Sequence, residues 1–446
     1  MEGTVTMDDL APLQRIRSEG RDLMNNWFDD LKRADENGEP VANVFVMGNC
    51  LELLQAFDVH LVFPEILSLQ TAVRKVSSEY IRAAEGWGMS TDACNYVKAD
   101  IGLALDGMEH PSGKIPKPSL AVASNMCLVF TKWAEIWERM HDVPIQVLDI
   151  PLGRARGRKL ESGEERFESD KEYVLEQLWE LVELLEEVTG RDFDPSKLSE
   201  AERQANRMMR AWRGILEVNR NQPAVYDALA DGVVFLGIAN ILRGTEEGAD
   251  FMELAEEQLQ HAADESIGAL NREKHRLLFH GVACYPYMRR FQALFHSWNG
   301  VFVTSPYLSF ACGGFTGEEL FDPSRPMESL AEMTVTCNRQ AHQAMYYTDD
   351  YLFDRDILDE FHVDGVVFHV VKSCRTVSTS HANTRQFLME RDDIPCLLLE
   401  SDHVDPRYFS EAQLKNRADA FFESLEQKKY HAEEKEGTRE STSAGG

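Results

Sequence analysis

The stretch KPSLAVASNMCLVFTKWAEIWERMHDVPIQVLDIP, residues 117–151, decides the fold class. Residues 120–123 form a short apolar run typical of a buried strand, and residues 129–140 repeat apolar side chains at helical spacing. A second apolar run follows at 145–148. Short apolar strands that alternate with amphipathic helices predict a parallel sheet with helices on both faces. Cys127 lies between the predicted strand and its helix.

The same alternation recurs on both sides of this stretch. Residues 44–47, 51–57 and 59–63 are predicted as strand, helix and strand. We therefore expect an α/β protein with two parallel-sheet domains. The predicted segments are a helical N-terminal segment (1–40), a first α/β domain (41–158), a helical connector or insertion (159–275), a second α/β domain (276–430) and a disordered tail (431–446).

The connector and the tail differ in composition from the α/β segments. Residues 159–275 are charged and helix-periodic, and we expect no chemistry of their own from them. The stretch EEKEGTRESTSAGG, residues 433–446, is polar throughout, which predicts disorder.

Composition limits the classes of partner. The chain has 446 residues, a net charge of −30 and 43% hydrophobic residues. Nucleic acid and anionic membranes are excluded as main partners, because both require a basic face. No apolar run reaches the ~18–20 residues of a membrane span, and the N-terminus resembles no secretory signal. We expect a cytoplasmic protein.

Three of the eight cysteines share a setting that favours ligand binding. Cys127 and Cys374 each follow a predicted strand, and Cys94 is predicted in the first turn of a helix whose N-cap lies among residues 90–92. Ligands of open α/β sheets bind at the carboxyl ends of strands, and a helix N-terminus lowers the pKa of a thiol. Three converging thiolates could hold an iron–sulfur cluster with one iron free of cysteine.

The alternative is that these cysteines are reduced core residues, since buried free cysteine is common. No CxxC pair occurs, so zinc-ribbon and ferredoxin signatures are absent. Cys284 and Cys396 are predicted as core residues inside strands, and Cys50 as a reserve ligand or pocket wall. Cys312 and Cys337 fit either interpretation. The spacing of the cysteines alone does not decide between an iron–sulfur cluster and reduced core residues.

Several other catalytic motifs are absent. GMEHPSGKI, residues 107–115, has one residue too many for a phosphate-binding loop and lacks Ser or Thr after Lys114. No GxGxxG follows a strand, and neither GxSxG nor HExxH occurs. We therefore do not expect this chain itself to hydrolyse ATP or to bind a dinucleotide.

Five segments resemble the 2-hydroxyacyl-CoA dehydratase / benzoyl-CoA reductase family. The likeness runs from about residue 40 to about 430 and favours the larger substrate-module subunit of the reductase branch. CNYVKADIG and DPRYFSEAQLKNR are its most specific parts. The segments are GNCLELLQAFD (48–58), DACNYVKADIG (92–102), SNMCLVFTKWAEIWE (124–138), DGVVFHVVKSCRTVS (364–378) and ESDHVDPRYFSEAQLKNRADAFFESLEQK (400–428).

The resemblance implies two Rossmann-like domains and one [4Fe–4S] cluster per chain. The family's ligand pattern falls on Cys94, Cys127 and Cys374, and leaves the fourth position to water, sulfide or substrate. Cys337 lies in a stretch that looks cysteine-containing in relatives too, so it competes with the third ligand. The resemblance also implies a homologous sister subunit, two ATP-binding activator subunits that complete a heterotetramer, and ferredoxin as electron donor.

The implied reaction is the ATP-dependent reduction of an aromatic acyl-CoA during anaerobic degradation of aromatic compounds. Benzoyl-CoA would become cyclohexadiene-carboxyl-CoA by successive electron and proton additions through a ketyl radical. Two alternatives stay open: a 2-hydroxyacyl-CoA dehydratase subunit, and an electron-relay subunit whose sister chain holds the substrate.

Candidate residues for the proton and CoA chemistry come from the sequence alone. Proton donors should be near-neutral groups close to the substrate ring. Lys98 and Arg375 lie near strand ends, where they could contact CoA phosphates. The candidate proton donors are His60, Glu52, Glu65 and His381.

Overall fold

The computed structural model describes residues 11–46, 50–151, 163–309, 321–346 and 355–443. Two four-stranded parallel sheets form its centre. The first contains, in spatial order, β2 (His60–Val62), β1 (Val41–Asn43), β5 (Leu120–Ser124) and β6 (Ile145–Leu148). The second contains β10 (Cys396–Ser401), β9 (Gly365–Val371), β7 (His275–His280) and β8 (Gly300–Thr304). A hairpin of β3 (Glu109–His110) and β4 (Gly113–Lys114) stands apart.

Both sheets have the same strand order. Counted from the first strand of each sheet, the order is 2-1-3-4, which is that of flavodoxin-like doubly wound folds. Every residue of β1, β5, β7 and β8 is buried, as expected for parallel strands covered on both faces. The predicted α/β fold class is confirmed. The chain reverses its winding between β1 and β5 and again between β7 and β9, and such switch points are where ligands bind.

Helices cover both sheets and fill the segment between them. Around the first sheet these are α1 (Ala11–Asn37), α2 (Leu51–Ala56), α3 (Pro64–Val73), α4 (Ser77–Trp87), α5 (Asn95–Leu105) and α6 (Leu128–His141). The central segment contains α7 (Gly163–Thr189), α8 (Pro195–Val218), α9 (Gly232–Ile241) and α10 (Glu246–Asp264). The second sheet is followed or flanked by α11 (Met288–His296), α12 (Pro306–Ser309), α13 (Pro326–Tyr346), α14 (Arg355–Glu360), α15 (Arg375–Ser378), α16 (His381–Arg391) and α17 (Glu411–Ser443).

Local sequence explains where the central helices begin. Asp194 accepts a hydrogen bond from the backbone amide of Ser196, and Pro195 occupies the first helical position of α8. Thr245 accepts from the amide of Gly248 at the start of α10. The two helices pack against each other, and α8 also packs on α2. One hydrophobic core therefore continues from the first sheet through the central helices to the second sheet.

One predicted strand boundary is wrong. The first strand ends at Asn43, and Phe45 is apolar because its ring stacks on Phe130, with centroids 3.8 Å apart, and on Trp137. Met47, the predicted end of that strand, lies outside the described residues. Helix α17 runs to Ser443, and the disorder predicted for residues 431–446 stays a prediction. Within the described residues, no helix is both long and apolar enough to cross a bilayer.

Candidate functional site

Side chains from the carboxyl ends of the two sheets contact one another. Cys127 follows β5 in the first sheet, and its Sγ lies 3.2 Å from Oγ1 of Thr376, which follows β9 in the second. The backbone amide of Asn95 donates to Oγ of Ser373, 3.2 Å away. These contacts place the start of α5, the start of α6 and the turn after β9 at one site.

Each of the three predicted ligands immediately precedes a helix. Cys94 is the N-cap of α5, Cys127 of α6 and Cys374 of α15. The prediction of an N-cap among residues 90–92 is therefore wrong. A turn and a bend occupy residues 91–93, and the ψ of 129° at Cys94 keeps its backbone outside the helix. We call Cys94, Cys127 and Cys374 the thiol trio.

The trio thiols lie close enough to influence one another's ionisation. Burial raises the pKa of Cys374 to about 12, with a further contribution from Cys127. Burial, and then the neighbouring Cys374 and Cys127, raise the pKa of Cys94 well above its usual value. Burial also raises the pKa of Cys127.

The prediction that helix N-termini lower these thiol pKa values is wrong in its net effect. First-turn amides face each sulfur and act to lower its pKa, although none forms a full capping hydrogen bond. Burial outweighs them, because an uncompensated thiolate is costly in an apolar site. A cation bound among the sulfurs would reverse that balance, since thiolates are the form that ligates metal.

The donor set fits an iron–sulfur cluster better than a single ion. Ligands of one zinc ion lie about 2.3 Å or less from it, and the described residues contain no three Cys, His, Asp or Glu side chains close enough to hold one ion. Iron–sulfur clusters are held by cysteine thiolates, one to each iron. Three neighbouring thiols from separate segments supply that chemistry.

Three tyrosines and a glutamate border the trio. The hydroxyl of Tyr285 is hydrogen-bonded to those of Tyr96 and Tyr307. Glu65, near the start of α3, accepts a hydrogen bond from the backbone amide of Val46 at 2.6 Å. Burial raises the pKa of Glu65 to about 8 although that amide lowers it in part, so this carboxyl is largely protonated at neutral pH.

The carboxyl of Glu65 and the phenols share a site with the thiols. Besides burial, the main cause, the charge of Glu65 contributes to the raised pKa of Cys127 and of Tyr307. Cys374 contributes to the raised pKa of Tyr307 as well. Thiols, phenols and one proton-bearing carboxyl therefore occupy one partly buried region.

None of the three tyrosines was predicted from the sequence. Tyr285 follows β7 and Tyr307 follows β8, so both occupy the strand-end position that singled out two of the cysteines. Their signal was present in the segments ACYPY and TSPY. Tyrosine after a strand is common in packed cores, and the pattern alone gave no reason to connect these segments.

Two predicted proton donors have other partners. His60 begins β2, at the opposite end of that strand from Glu65, and its Nε2 lies 2.7 Å from Oε2 of Glu39. Glu52 is fully buried in α2, and its Oε1 accepts a hydrogen bond from Nε of Arg243 at 2.5 Å. These placements argue against both residues as donors to a substrate beside the trio.

His381, another of the four predicted proton donors, belongs to a histidine pair. Its Nε2 lies 3.0 Å from Nδ1 of His280, and both side chains are buried. Burial, His280 and His369 lower the pKa of His381 to about 2, so the ring is neutral. The residues that influence its ionisation are histidines of the second sheet, not members of the trio.

The two predicted CoA contacts differ in accessibility. Lys98 is fully buried, and its Nζ donates to Oε1 of Glu85 at 3.0 Å and to the carbonyl of Thr91 at 2.8 Å. Arg407 pairs with the same carboxylate at 2.8 Å, so Lys98 helps to join the first sheet's helices to the segment after β10. This argues against a phosphate contact for Lys98. Arg375 is exposed at the start of α15.

A second buried group, which we call the ion-pair cluster, consists of Cys50, Glu52, Arg243 and Cys337. Burial is the main cause of the raised pKa of Cys50, followed by the charge of Glu52. Burial also raises the pKa of Cys337 to about 11, against the opposing effect of Arg243. No trio member is among the residues that influence these two thiols.

Cys284 and Cys396 are separate from both groups. Cys284 is buried, but it lies after β7 rather than inside a strand as predicted, because β7 ends at His280. Cys396 is the first residue of β10 and is partly buried. Cys312 lies outside the described residues.

Comparison with known proteins identifies similar chains. The family described as 2-hydroxyglutaryl-CoA dehydratase, D-component, matches residues 48–425. A subunit of the benzoyl-CoA reductase of Thauera aromatica is 30% identical, over 92% of this chain and 94% of that protein. The alpha subunit of the (R)-phenyllactyl-CoA dehydratase of Clostridium sporogenes is 25% identical, over 85% and 88%. The alpha subunit of the (R)-2-hydroxyglutaryl-CoA dehydratase of Acidaminococcus fermentans is 23% identical, over 91% and 96%.

Proposed function

This chain belongs to the 2-hydroxyglutaryl-CoA dehydratase, D-component, family, and from that premise we propose that it is an iron–sulfur subunit of an ATP-dependent aromatic acyl-CoA reductase. The proposed reaction adds two electrons and two protons to benzoyl-CoA and yields cyclohexadiene-carboxyl-CoA. The observation that carries the proposal is the convergence of three thiols from distant segments beside one protonated carboxyl.

The thiol trio is the proposed binding site of a [4Fe–4S] cluster that leaves one iron without a cysteine. Such a cluster supplies electrons singly at low potential. The partly buried setting of the trio favours low potential, because a low-dielectric site disfavours the more negative, reduced form. The hydroxyl of Thr376 and the first-turn amides beside the sulfurs act in the opposite direction.

Glu65 is the proposed proton donor. General acid catalysis is most effective when the pKa of the acid lies near the working pH, and that of Glu65 is about 8. The amide of Val46 fixes one carboxyl oxygen and so leaves the other to face the site. The hydrogen-bonded hydroxyls of Tyr96, Tyr285 and Tyr307 offer a chain of O–H groups beside this acid.

The proposal assigns the energy supply and the rest of the assembly to other chains. We expect a homologous sister subunit, and two ATP-binding activator subunits that receive electrons from ferredoxin. The names of the relatives, each of which is one subunit of its enzyme, support a multi-subunit assembly. Arg375, exposed beside Cys374, is the proposed contact for a CoA phosphate.

A dehydratase function is the second candidate, because four curated relatives are dehydratase subunits of 22–25% identity. The reaction would then remove water from a 2-hydroxyacyl-CoA. Glu65 would serve that chemistry too, as a carboxyl able to give or take a proton near neutral pH. The greater identity to the reductase chain, 30%, favours the reductase.

The test uses the anaerobically purified complex of this chain with its co-expressed partner subunits. Iron and sulfide are measured first, and the complex is then incubated with ATP, reduced ferredoxin and either benzoyl-CoA or a 2-hydroxyacyl-CoA. A product that gains two hydrogens supports the reductase, and one that loses water supports the dehydratase. A loaded complex inactive toward both overturns the catalytic proposal.

The electron-relay alternative needs a structural measurement. Crystals of the loaded complex soaked with the acyl-CoA should show its density beside the trio of this chain. Density found only at the sister subunit would contradict the catalytic role and leave electron transfer as the function of this chain.

A further inference from the structure

Asp402 and His403 follow β10 and lie directly behind Cys94. Nε2 of His403 is 3.9 Å from Sγ of Cys94, within hydrogen-bonding range for sulfur. The His403 ring also meets the ring of Tyr96 edge to face, with centroids 4.1 Å apart. Asp402 and His403 are each 1% exposed, so the pair is a buried polar group placed against a proposed metal ligand.

Asp402 is held by hydrogen bonds at both carboxylate oxygens. Oδ1 accepts from the backbone amides of Val404 and Asp405, each at 2.9 Å, and Nδ1 of His403 lies 3.3 Å from it. Oδ2 accepts from Oγ of Ser373 at 2.6 Å and from the Ser373 amide at 3.1 Å. Burial alone would raise the pKa of Asp402, but His403 and these donors hold it well below its usual value.

The same carboxylate connects two members of the trio. Ser373 immediately precedes Cys374, and its hydroxyl accepts from the amide of Asn95, the residue after Cys94. Asp402 thus fixes the turn before Cys374 and, through Ser373, the first residue of α5, which follows Cys94. It also lies beside the imidazole of His403, which contacts Cys94. A histidine that only packed against the ring of Tyr96 would not need the hydrogen bonds that hold Asp402 beside it.

We propose that His403 is a positioning residue that donates a hydrogen bond from Nε2 to the Cys94 sulfur and raises the reduction potential of the group held by the trio, with Asp402 as its anchor. A thiolate has no hydrogen to give, so the ring must supply it. Nε2 carries the hydrogen that is given to the sulfur, and Nδ1 lies 3.3 Å from Oδ1 of Asp402. This inference rests on the proposed function.

The expected effect follows from charge. A hydrogen bond to a ligating sulfur stabilises the more negative, reduced form of a cluster, so its loss lowers the reduction potential. Outer-shell partners of metal ligands also orient those ligands, which gives His403 a second effect on how readily the site is filled. A histidine that only filled space would leave the potential unchanged when replaced by a side chain of similar size.

The test uses the loaded complex with His403→Leu, which removes the donor, and His403→Gln, which keeps an N–H. His275→Gln is the matched control, because His275 is also fully buried but begins β7, at the opposite end of the second sheet from the trio. Redox titration followed by electron paramagnetic resonance gives the potential. Cys94→Ser identifies which signal belongs to this chain.

His403→Leu should shift the one-electron equilibrium at least tenfold toward the oxidised form, which is about 59 mV, and change the resonance spectrum. His403→Gln should restore most of the shift, and His275→Gln should leave both readouts as in wild type. An unchanged potential in loaded His403→Leu, or an equal shift in His275→Gln, overturns the inference.

Asp402→Asn is the second variant if His403→Leu does not load iron. It keeps the ring but removes the charge behind it, which by itself would raise the potential. A lowered potential therefore supports the inference, and an unchanged or raised potential overturns it. A wild-type complex without iron would instead sink the proposed function itself, so the two failures are distinguishable.

Discussion

The thiol trio and the ion-pair cluster both contain cysteines that follow strands of the first sheet, and their surroundings are opposite. Cys127 follows β5 and faces other thiols, phenols and a protonated carboxyl. Cys50 follows β1, the neighbouring strand, and its charged neighbours are Glu52 and Arg243. The first environment is the proposed site for metal and protons, whereas the second neutralises a buried charge within the protein.

The difference shows that a strand-end position does not by itself make a cysteine a ligand. The trio draws on both sheets, since Cys127 contacts Thr376 of the second. The ion-pair cluster instead joins the first sheet to the central helices, because Arg243 follows α9. Four experiments test this contrast.

Replacing trio thiols should have the largest effect. Cys94→Ser, Cys127→Ser and Cys374→Ser should each abolish iron binding by this chain and reduce turnover to background, because serine cannot replace a thiolate at a cluster. Cys50→Ser and Cys337→Ser should retain iron. Iron and sulfide analysis of anaerobically purified complexes measures both. Full iron content in all three trio variants would overturn the assignment.

The two glutamates, Glu65 and Glu52, should separate chemistry from stability. Glu65→Gln should slow turnover by roughly 10²–10⁴-fold, the usual contribution of a general acid, while iron content stays as in wild type. Because the pKa of Glu65 is about 8 and its protonated form is the donor, wild-type turnover should fall as the pH rises through about 8. Glu52→Gln should leave that pH profile in place. A wild-type rate that rises through the same pH range would contradict the role of Glu65.

Breaking the ion pair should cost stability without loss of iron. Arg243→Met leaves Glu52 buried without its cation, which should lower the free energy of unfolding by about 3–5 kcal/mol. Lys415→Met is the control, since Lys415 pairs with Asp419 on the surface and such pairs contribute about 1 kcal/mol or less. Urea unfolding compares the two. Similar losses of unfolding free energy in both variants would show that the ion-pair cluster does not stabilise the fold.

The smallest effect is expected from the hydrogen-bonded hydroxyls of Tyr96, Tyr285 and Tyr307. Tyr307→Phe removes a hydroxyl hydrogen-bonded to Tyr285 and should cost about 0.5–1.5 kcal/mol of unfolding free energy. Turnover should decrease less than in Glu65→Gln, because Tyr307 contributes to the surroundings of the acid rather than giving the proton itself. Tyr430→Phe, on the exposed surface of α17, should change neither quantity.

Much of the fold was predictable because parallel strands buried on both faces are short and continuously apolar. Both four-stranded sheets and the position of Cys127 and Cys374 after their strands follow from that pattern. The boundary of β1 did not, because Phe45 owes its apolar character to stacking against α6.

Candidate site residues could be proposed from the sequence only where the residue type itself indicates a chemical role. Cysteine and glutamate are chemically distinctive, so the trio and Glu65 could be proposed in advance. Lys98 looks like a solvent-facing helix residue in the sequence, and its burial depends on Glu85, thirteen positions earlier, and on Arg407 after β10. His403 acquires its meaning from Cys94, 309 positions away, and Tyr96 from Tyr285, 189 positions away. Local periodicity does not encode these contacts.

The order of synthesis adds a consequence of the thiol trio's division between two sheets. Cys94 and Cys127 emerge from the ribosome some 250 residues before Cys374, and Asp402 comes later still. If the trio holds a cluster as proposed, the full ligand set exists only once translation is nearly finished, so insertion of the cluster would come at the end of synthesis or after it. Truncated products would then lack one ligand and could not hold the cluster.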